Sequence, residues 1–461
     1  MNTAFSSLPL NTAMLANIAA LGYAQMTAIQ AQSLPPILAG ADVIAQAKTG
    51  SGKTAAFGIG LMHQLNLKLY AVQSLVLCPT RELADQVTKE LRRLARFTQN
   101  IKILSLCGGE SIAGQIKSLS HPAHIVVGTP GRLLKLLEKG YLQLEGLQCL
   151  VLDEADRMLD MGFVDEIQKV IAFAPKQRQT LLFSATYTDE IVKLSHSLQN
   201  NAQSIKTTDT DVANKVEEYF INCSESQKLH DLIKILAKFK PRNGIIFANT
   251  KLEVKELARF LNATNIEASA LHGDLEQYQR NDVLVAFANH SVPVLVATDV
   301  AARGLDIKDL ALVVNFGLPF EQNIYTHRIG RTARAGSQGI AATLYWGKQA
   351  FKAKKMQTSQ RIFIAAKQLP GATDFSLKAN MATLVIEAGK RHKIRAGDIL
   401  GALTGDVGLH GESIGKINIY DKQSYVAIKR GLINKALRGL KSRGLKGKKF
   451  SVWLKQNPFK V

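Results

Sequence analysis

Short, apolar, β-branched runs alternate with longer amphipathic stretches, and the pattern occurs twice along the 461 residues. Ser74–Cys78, Ile101–Leu106, Ile125–Val127, Leu147–Leu152 and Thr180–Phe183 read as buried strands, with helical spacing in segments between them such as Leu83–Phe97. Gly244–Phe247, Ala268–Leu271, Val294–Ala297, Leu312–Phe316 and Ala341–Tyr345 repeat the rhythm, with helices such as Leu252–Leu261 between them. A strand that is apolar on both faces needs both covered. The pattern therefore predicts two tandem α/β domains, each a parallel sheet between helices. They are expected to meet near residue 209, giving domains at 1–208 and 209–366. The repetition is architectural; no internal sequence repeat is visible.

Between Lys348 and Asn380 the rhythm fades into a basic, helix-like stretch and then Leu369-Pro370-Gly371-Ala372-Thr373-Asp374, read as a hinge within a linker at 367–380. A third unit over 381–461 has the order β-α-β-β-α-β. Its strands are expected near Ala382–Glu387, Ser413–Ile419, Ser424–Lys429 and Lys449–Leu454, a small α+β domain.

Charge is distributed unevenly. The chain carries +21, and residues 381–461 hold 17 Lys/Arg against 5 Asp/Glu, a net of +12. More than half of the excess thus lies on less than a fifth of the chain, the footprint of a module that neutralises phosphates. The first charged side chain is Asp42, but Pro9 and polar Asn, Thr and Ser interrupt the early apolar residues and no basic segment precedes them. The reading is cytosolic, with no membrane partner. Cys78, Cys107, Cys149 and Cys223 lie 29, 42 and 74 residues apart, which fits neither a zinc site nor a C-x-x-C redox pair. They are expected to be reduced core residues.

Ala47-Lys48-Thr49-Gly50-Ser51-Gly52-Lys53-Thr54 follows the strand-like Asp42–Ala45 and precedes a helical run, the context of a phosphate-binding loop. Glycines let backbone N–H groups close around phosphates, and the helix N-terminus adds a favourable dipole. Lys53 is expected on the β- and γ-phosphates and Thr54 on Mg²⁺; Ala47 stands where the common consensus has Gly. At the end of the Leu147–Leu152 strand come Asp153-Glu154-Ala155-Asp156, where an α/β sheet places its ligand site. Asp153 suits the magnesium ion, and Glu154 suits the attacking water.

Asp-Glu-Ala-Asp, with Lys53 before it and Ser184-Ala185-Thr186 after it, resembles the DEAD-box RNA helicases of superfamily 2, and the resemblance covers nearly the whole chain. It implies two RecA-like domains and ATP as the nucleotide. Phe5, Gly22, Tyr23, Thr27 and Gln30 are similar to the family's adenine-reading Q motif, in which an aromatic ring stacks on the base and Gln30 reads its edge. Thr49, Gly50, Ser51 and Gly52 complete the phosphate loop. Ser184 and Thr186 are implied to couple the domains. Arg81, Gly108, Gly109, Thr129 and Arg132 resemble the RNA motifs of the first domain, and Gln277, Arg280, Thr298 and Asp299 those of the second. Such groups hold phosphates without reading bases.

Arg303-Gly304-Leu305-Asp306 and His327–Arg334 resemble the motifs that complete the ATP site across the cleft between the domains. Gly304 and Asp306 are implied at the nucleotide. Arg331 and Arg334, read as one helical turn apart, are implied arginine fingers; Ala333 replaces the commoner Gly. Gly389–Leu403 resembles the tail of the DbpA subfamily, which implies an RRM-like fold, a hairpin of 23S ribosomal RNA as partner, and a role in large-subunit assembly. Only Tyr425 remains as a stacking platform on the expected sheet face. Contact is therefore expected on a basic edge of Lys390, Arg391, Lys393 and Arg395, with Lys416 near it, whereas the run Lys441–Lys449 is equally readable as solvated surface. Two competing readings are a DNA translocase of the same superfamily and an ATP-gated RNA clamp that separates no strands.

Overall fold

The computed structural model describes residues 3–47, 50–109, 111–207, 216–302, 310–332 and 339–455. The chain divides into two compact units, one holding the first sheet domain and the other the second sheet domain with the C-terminal tail. The division expected near residue 209 falls in 208–215, outside the described residues.

In the first unit, β1 (Val43–Gln46), β2 (Ser74–Leu77), β3 (Ile103–Leu106), β4 (Ile125–Gly128), β5 (Cys149–Asp153), β6 (Gln179–Ser184) and β7 (Gln203–Lys206) form a parallel sheet in the order β3-β4-β2-β5-β6-β1-β7. Side chains alternate between its faces. Val43, Val76, Val151, Leu181 and Phe183 join one buried cluster, while Ile44, Leu75, Leu77, Leu150 and Leu182 join the other. Both faces are thus covered, which is why these strands read as unbroken apolar runs. All four cysteines are buried free thiols, and burial raises the pKa of Cys78 and Cys149 well above the usual thiol range.

The second unit repeats the plan. β8 (Val216–Asn222), β9 (Gly244–Phe247), β10 (Ala268–Leu271), β11 (Val294–Ala297), β12 (Leu312–Phe316), β13 (Gly339–Tyr345) and β14 (Arg361–Ala365) form a parallel sheet in the order β10-β11-β9-β12-β13-β8-β14. The fading rhythm after Lys348 conceals β14, an edge strand paired with β8. The segment read as a hinge is not free-standing. Leu369 is buried in the core of the second domain, Phe375 and Leu377 pack against that core, and the N–H of Glu267 donates to the carbonyl of Leu377 at 2.9 Å.

The tail forms an antiparallel sheet of β15 (Met381–Ile386), β16 (Ile414–Ile419), β17 (Ser424–Lys429) and β18 (Val452–Leu454) in the order β16-β17-β15-β18. The helices Ala396–Gly401 and Ile433–Arg443, with the π-helical turn Ala402–Asp406 between them, cover one face through Ile399, Leu403, Ala436 and Leu440. This is the α/β; two-RecA-like-plus-RRM-like architecture that the sequence predicts. Among the described residues no helix is long and apolar enough to cross a membrane.

Candidate ATP and RNA sites

The Q-motif residues precede β1, whereas the other described motifs of the first unit lie at or just after the C-terminal ends of its strands. They divide between the two halves of the sheet. The phosphate loop follows β1, Glu154 follows β5 and Ser184 ends β6, so the ATP motifs share the β5-β6-β1 half. Arg81 follows β2, Gly108 follows β3 and Thr129 follows β4, so the RNA motifs share the β3-β4-β2 half.

Gly50 and Gly52 have φ of +88° and +98°, a region that side chains disfavour, and a Cβ on Gly52 would stand 2.5 Å from Nε2 of Gln30. Gly52 caps the helix Lys53–Gln64. The Lys53 side chain is buried, its Nζ donating to the Ala47 carbonyl at 2.7 Å. Among the described residues the buried Ser51 Oγ has no hydrogen-bond partner, and Thr54 is half-buried. Thr49 lies outside the described residues. Gln30 is buried and acts as a strut: its Oε1 accepts from the Thr27 N–H at 2.9 Å and its Nε2 donates to the Gly52 carbonyl at 3.1 Å. An amide has two N–H groups and two lone pairs on its oxygen, so donor and acceptor capacity remains for a base edge. Phe5 is buried with its ring 6.4 Å from that of Tyr23, whose hydroxyl donates to Glu90.

Asp153 ends β5 and is 3% exposed. Burial pushes its carboxyl up to about 7, only partly offset by the Lys53 ammonium and reinforced by Glu154. Glu154 has a φ of +54°, which turns the chain sharply into the helix Ala155–Asp160, and its carboxylate sits 3.0 Å from the Arg157 guanidinium. Asp156, assigned no role in the sequence reading, is the hub. Its Oδ2 accepts from the N–H of Ala185 at 3.1 Å, the N–H of Thr186 at 3.0 Å and the Thr186 hydroxyl at 3.1 Å. Ser184 Oγ accepts from the Thr186 N–H at 3.2 Å, and the Ala47 N–H donates to the Ser184 carbonyl at 3.0 Å. One hydrogen-bond network therefore joins Asp-Glu-Ala-Asp, Ser-Ala-Thr and the phosphate loop.

On the RNA half, Gly109 has a φ of +71°, and a Cβ there would stand 1.6 Å from the Arg81 guanidinium. Arg81 lies across this turn, and the positive φ of Gly109 is what favours glycine there. Gln115 donates to the Cys107 carbonyl at 3.0 Å and accepts from Arg132 at 2.6 Å, fixing that arginine to the same turn. Thr129 precedes the helix Pro130–Glu138 as its cap residue.

In the second unit, Gln277 and Arg280 begin the helix Gln277–Ala288 after β10, and Arg280 donates to the Ala301 carbonyl at 2.7 Å. Thr298 follows β11, its hydroxyl accepting from the Ala301 N–H. Arg328 is consumed internally: it pairs with both oxygens of Asp299 at 2.7 and 2.6 Å and donates to Asn315 and Asn249. The helix Gln322–Ile329 ends before Arg331, so Arg331 itself stands past the helix and not on one of its turns. Arg331 is buried just past the helix end. Arg334, Gly304 and Asp306 lie outside the described residues.

Family models match in the same order: a DEAD/DEAH box helicase over residues 27–194, a helicase conserved C-terminal domain over 227–336, and a DbpA RNA binding domain over 383–454. The chain is 50% identical over 448 residues to the ATP-dependent RNA helicase DbpA of Escherichia coli (strain K12), covering 97% of this chain and 98% of that protein. The chain belongs to the DEAD-box ATP-dependent RNA helicases. It is also 43% identical over 343 residues to the helicase CshA of Geobacillus kaustophilus (strain HTA426), covering 74% of this chain and 73% of the relative. Among solved structures, S. cerevisiae Dbp5 bound to RNA and ADP BeF3 is similar with a TM-score of 0.71 and 31% identity, over 79% of this chain and 96% of that one. The helicase therefore uses ATP and acts on RNA.

The tail of this helicase carries a DbpA-type RNA-binding domain, and the structure corrects two details of the expected RNA edge. Lys390, Arg391, Lys393 and Arg395 are all exposed around the turn that follows β15 and opens the helix Ala396–Gly401. Lys446 joins them, its ammonium 3.0 Å from Asp398 and 3.1 Å from the Lys393 carbonyl. Lys416 does not. The register Ile414↔Ile428 and Ile417↔Val426, with Thr383↔Ala427, sets it level with Thr383 at the other end of the sheet. There it and Arg242 add to burial in holding the His290 imidazole below its ordinary pKa.

Tyr425 is no free stacking platform either. Its ring is buried with Val385 against Val285 of the second RecA-like domain, and its hydroxyl donates to Asp282 at 2.7 Å. Lys455 pairs with the same carboxylate. Thr383 bonds Asn289 at 2.9 Å and Ser291 at 2.8 Å, and Arg430 grips both oxygens of Glu267 at 2.8 and 2.6 Å. The sheet face that an ordinary RRM offers to single-stranded bases is here a seam between the tail and the domain before it.

Proposed function

We propose that this helicase binds a hairpin of 23S ribosomal RNA through its tail and locally remodels neighbouring RNA during assembly of the large ribosomal subunit, in the cytoplasm. The observation that carries the reading is the tail's division of labour: its sheet face is covered, while its exposed cations gather at one end. A folded hairpin, gripped by its phosphates and shape, suits such an edge better than splayed single-stranded bases do. The resemblance of Gly389–Leu403 to the DbpA subfamily supplies the identity of the RNA.

For hydrolysis, Lys53 holds the β- and γ-phosphates of ATP, and Gly50, Ser51 and Gly52 wrap them with backbone N–H groups. Glu154 orients the attacking water and takes its proton as the bond to the γ-phosphorus forms and the bond to the ADP oxygen breaks. The Thr54 hydroxyl and Asp153 carboxylate are hard oxygen donors, and a buried acid only partly balanced by Lys53 suits a divalent cation. They would hold Mg²⁺, which neutralises phosphate charge. Arg331 and Arg334 are assigned the arginine fingers; Phe5, Tyr23, Thr27 and Gln30 the adenine; Gly304 and Asp306 the nucleotide; Ser184 and Thr186 the coupling of hydrolysis to RNA. Arg81, Gly108, Gly109, Thr129, Arg132, Arg280 and Thr298 are assigned to the RNA backbone.

The test is strand displacement on a short duplex beside the 23S hairpin, with ATP and with a non-hydrolysable analogue. Displacement that needs ATP and is faster beside the hairpin than beside an unrelated stem is expected. Equal rates on the two substrates would remove the ribosomal address, and binding without displacement would leave the clamp reading.

A further inference from the structure

The seam leaves one end uncovered. Asp282, Val285 and Asn289 lie on one stripe of the Gln277–Ala288 helix and its cap, and all three meet the tail. Tyr278, one turn before Asp282, belongs to the same stripe, yet it is 67% exposed. The tail sheet stops a turn short of it. Tyr278 sits between Gln277 and Arg280, in the first turn of the helix assigned to RNA.

The direction of β15 decides what stands opposite. Thr383 meets Asn289, Val385 packs on Val285, and Tyr425, the register partner of Val385, reaches Asp282. β15 thus runs antiparallel to the helix, and the chain beyond Ile386 continues toward Tyr278. That end holds Tyr420, 40% exposed, with its ring edge-on to Tyr425 at 5.6 Å. The basic turn is fastened to it. The N–H of Lys390 donates to the Tyr420 carbonyl at 2.9 Å and that of Arg391 to the Asp421 carbonyl at 3.0 Å. A Cβ on Gly389 would stand 2.1 Å from the Tyr420 oxygen, so only glycine permits this approach. Lys390, Arg391 and Lys422, all exposed, outnumber Asp421 on the two backbone segments that meet at Tyr420.

Exposed aromatic faces set among cations are how proteins hold single-stranded nucleic acid: bases stack, and phosphates pair with the charges. We propose that Tyr278 and Tyr420 form an aromatic step that stacks on a single-stranded RNA segment leading from the RNA on the tail's basic edge to the RNA face of the second RecA-like domain. The step rests on the reading that the tail binds RNA. It adds the path between the two surfaces and makes that path single-stranded.

The full-length chain tests it with three probes: the bare 23S hairpin, the hairpin with a ten-nucleotide single-stranded extension carrying 2-aminopurine at successive positions, and an unrelated stem with the same extension. Tyr278→Ala and Tyr420→Ala should each weaken binding of both extended probes about fivefold or more, the scale of one lost base stack. Binding of the bare hairpin should stay within about twofold. Tyr278→Phe should retain the affinity, and 2-aminopurine fluorescence, quenched by stacking in the parent, should recover in Tyr278→Ala. Unchanged affinity for the extended probes in both alanine variants would overturn the proposal, as would equal losses on the bare hairpin, which would mean that Tyr278 serves the seam. If the parent binds the hairpin and the unrelated stem alike, the ribosomal address fails; the extension effect on the unrelated stem still decides the step.

Discussion

Asp156 holds Thr186 twice, one carboxylate oxygen accepting both the backbone N–H at 3.0 Å and the hydroxyl at 3.1 Å. The same oxygen takes the Ala185 N–H at 3.1 Å, and the other takes the Arg157 N–H at 3.0 Å. The fourth residue of Asp-Glu-Ala-Asp thereby fixes Ser-Ala-Thr within the first unit. Asp156→Asn offers N–H groups where donors already point and leaves buried groups unpaired, at a cost of about 1–3 kcal/mol. The expected outcome is a lower denaturation midpoint together with duplex displacement reduced more than RNA-stimulated ATP turnover. Unchanged displacement would separate this network from coupling.

Lys53→Ala and Glu154→Gln should both abolish turnover, for different reasons. The first strips positive charge from the phosphates, so ATP binding itself weakens. The second keeps size and hydrogen bonding but loses the base, so ATP still binds and the RNA-bound state persists. Equilibrium binding of a fluorescent ATP analogue, read beside steady-state turnover, separates the two. Turnover near the parent rate in Glu154→Gln would reassign the base.

The arginines of His327–Arg334 should behave differently from one another. Arg331→Ala should lower kcat by about 10³-fold, the scale of an arginine finger, while tail RNA affinity is kept. Arg328→Ala should instead unfold the second domain more readily, by about 3–5 kcal/mol, because it leaves Asp299 without its bidentate partner. Urea denaturation and single-turnover kinetics on both variants check the distinction.

Reversing Lys393 and Arg395 to Glu should remove preference for the hairpin and flatten the salt dependence of its affinity, each lost phosphate contact lowering the slope by roughly 0.7–0.9. Tyr425→Phe should leave that slope unchanged. It removes the hydrogen bond to Asp282 from a buried seam, so loosening should appear as faster proteolysis between the second domain and the tail. Hairpin affinity across several salt concentrations, with limited proteolysis alongside, reads both.

Deleting residues 381–461 removes +12 of the net charge and none of the ATPase motifs. It also uncovers Val285 and takes Tyr425 and Lys455 from Asp282 and Arg430 from Glu267. The truncated chain is expected to hydrolyse ATP with generic RNA but without hairpin preference, and to melt at a lower temperature than the full chain. An equal melting temperature would show that the seam contributes nothing to the second domain.

What the sequence determined by itself is what local chemistry dictates. Gly244–Phe247, Ala268–Leu271, Val294–Ala297 and Leu312–Phe316 are strands with the predicted bounds, because a strand buried on both faces has to be apolar throughout. The phosphate loop and Asp-Glu-Ala-Asp were legible because their residues are contiguous. The edge strands β7 and β14, and β8 beside β14, were not. β7 is largely exposed and β8 carries two glutamates, so neither shows an apolar run. Contacts across long sequence separations were equally silent. No local pattern sets Tyr425 on Asp282, 143 residues apart, or draws Lys416 away from Lys390. Residue type declared that the tail is basic and that Tyr425 is its one well-placed aromatic. Only the packing of the sheet on the Gln277–Ala288 helix decided which cations gather and which ring is spent, because burial and register are properties of the folded chain as a whole.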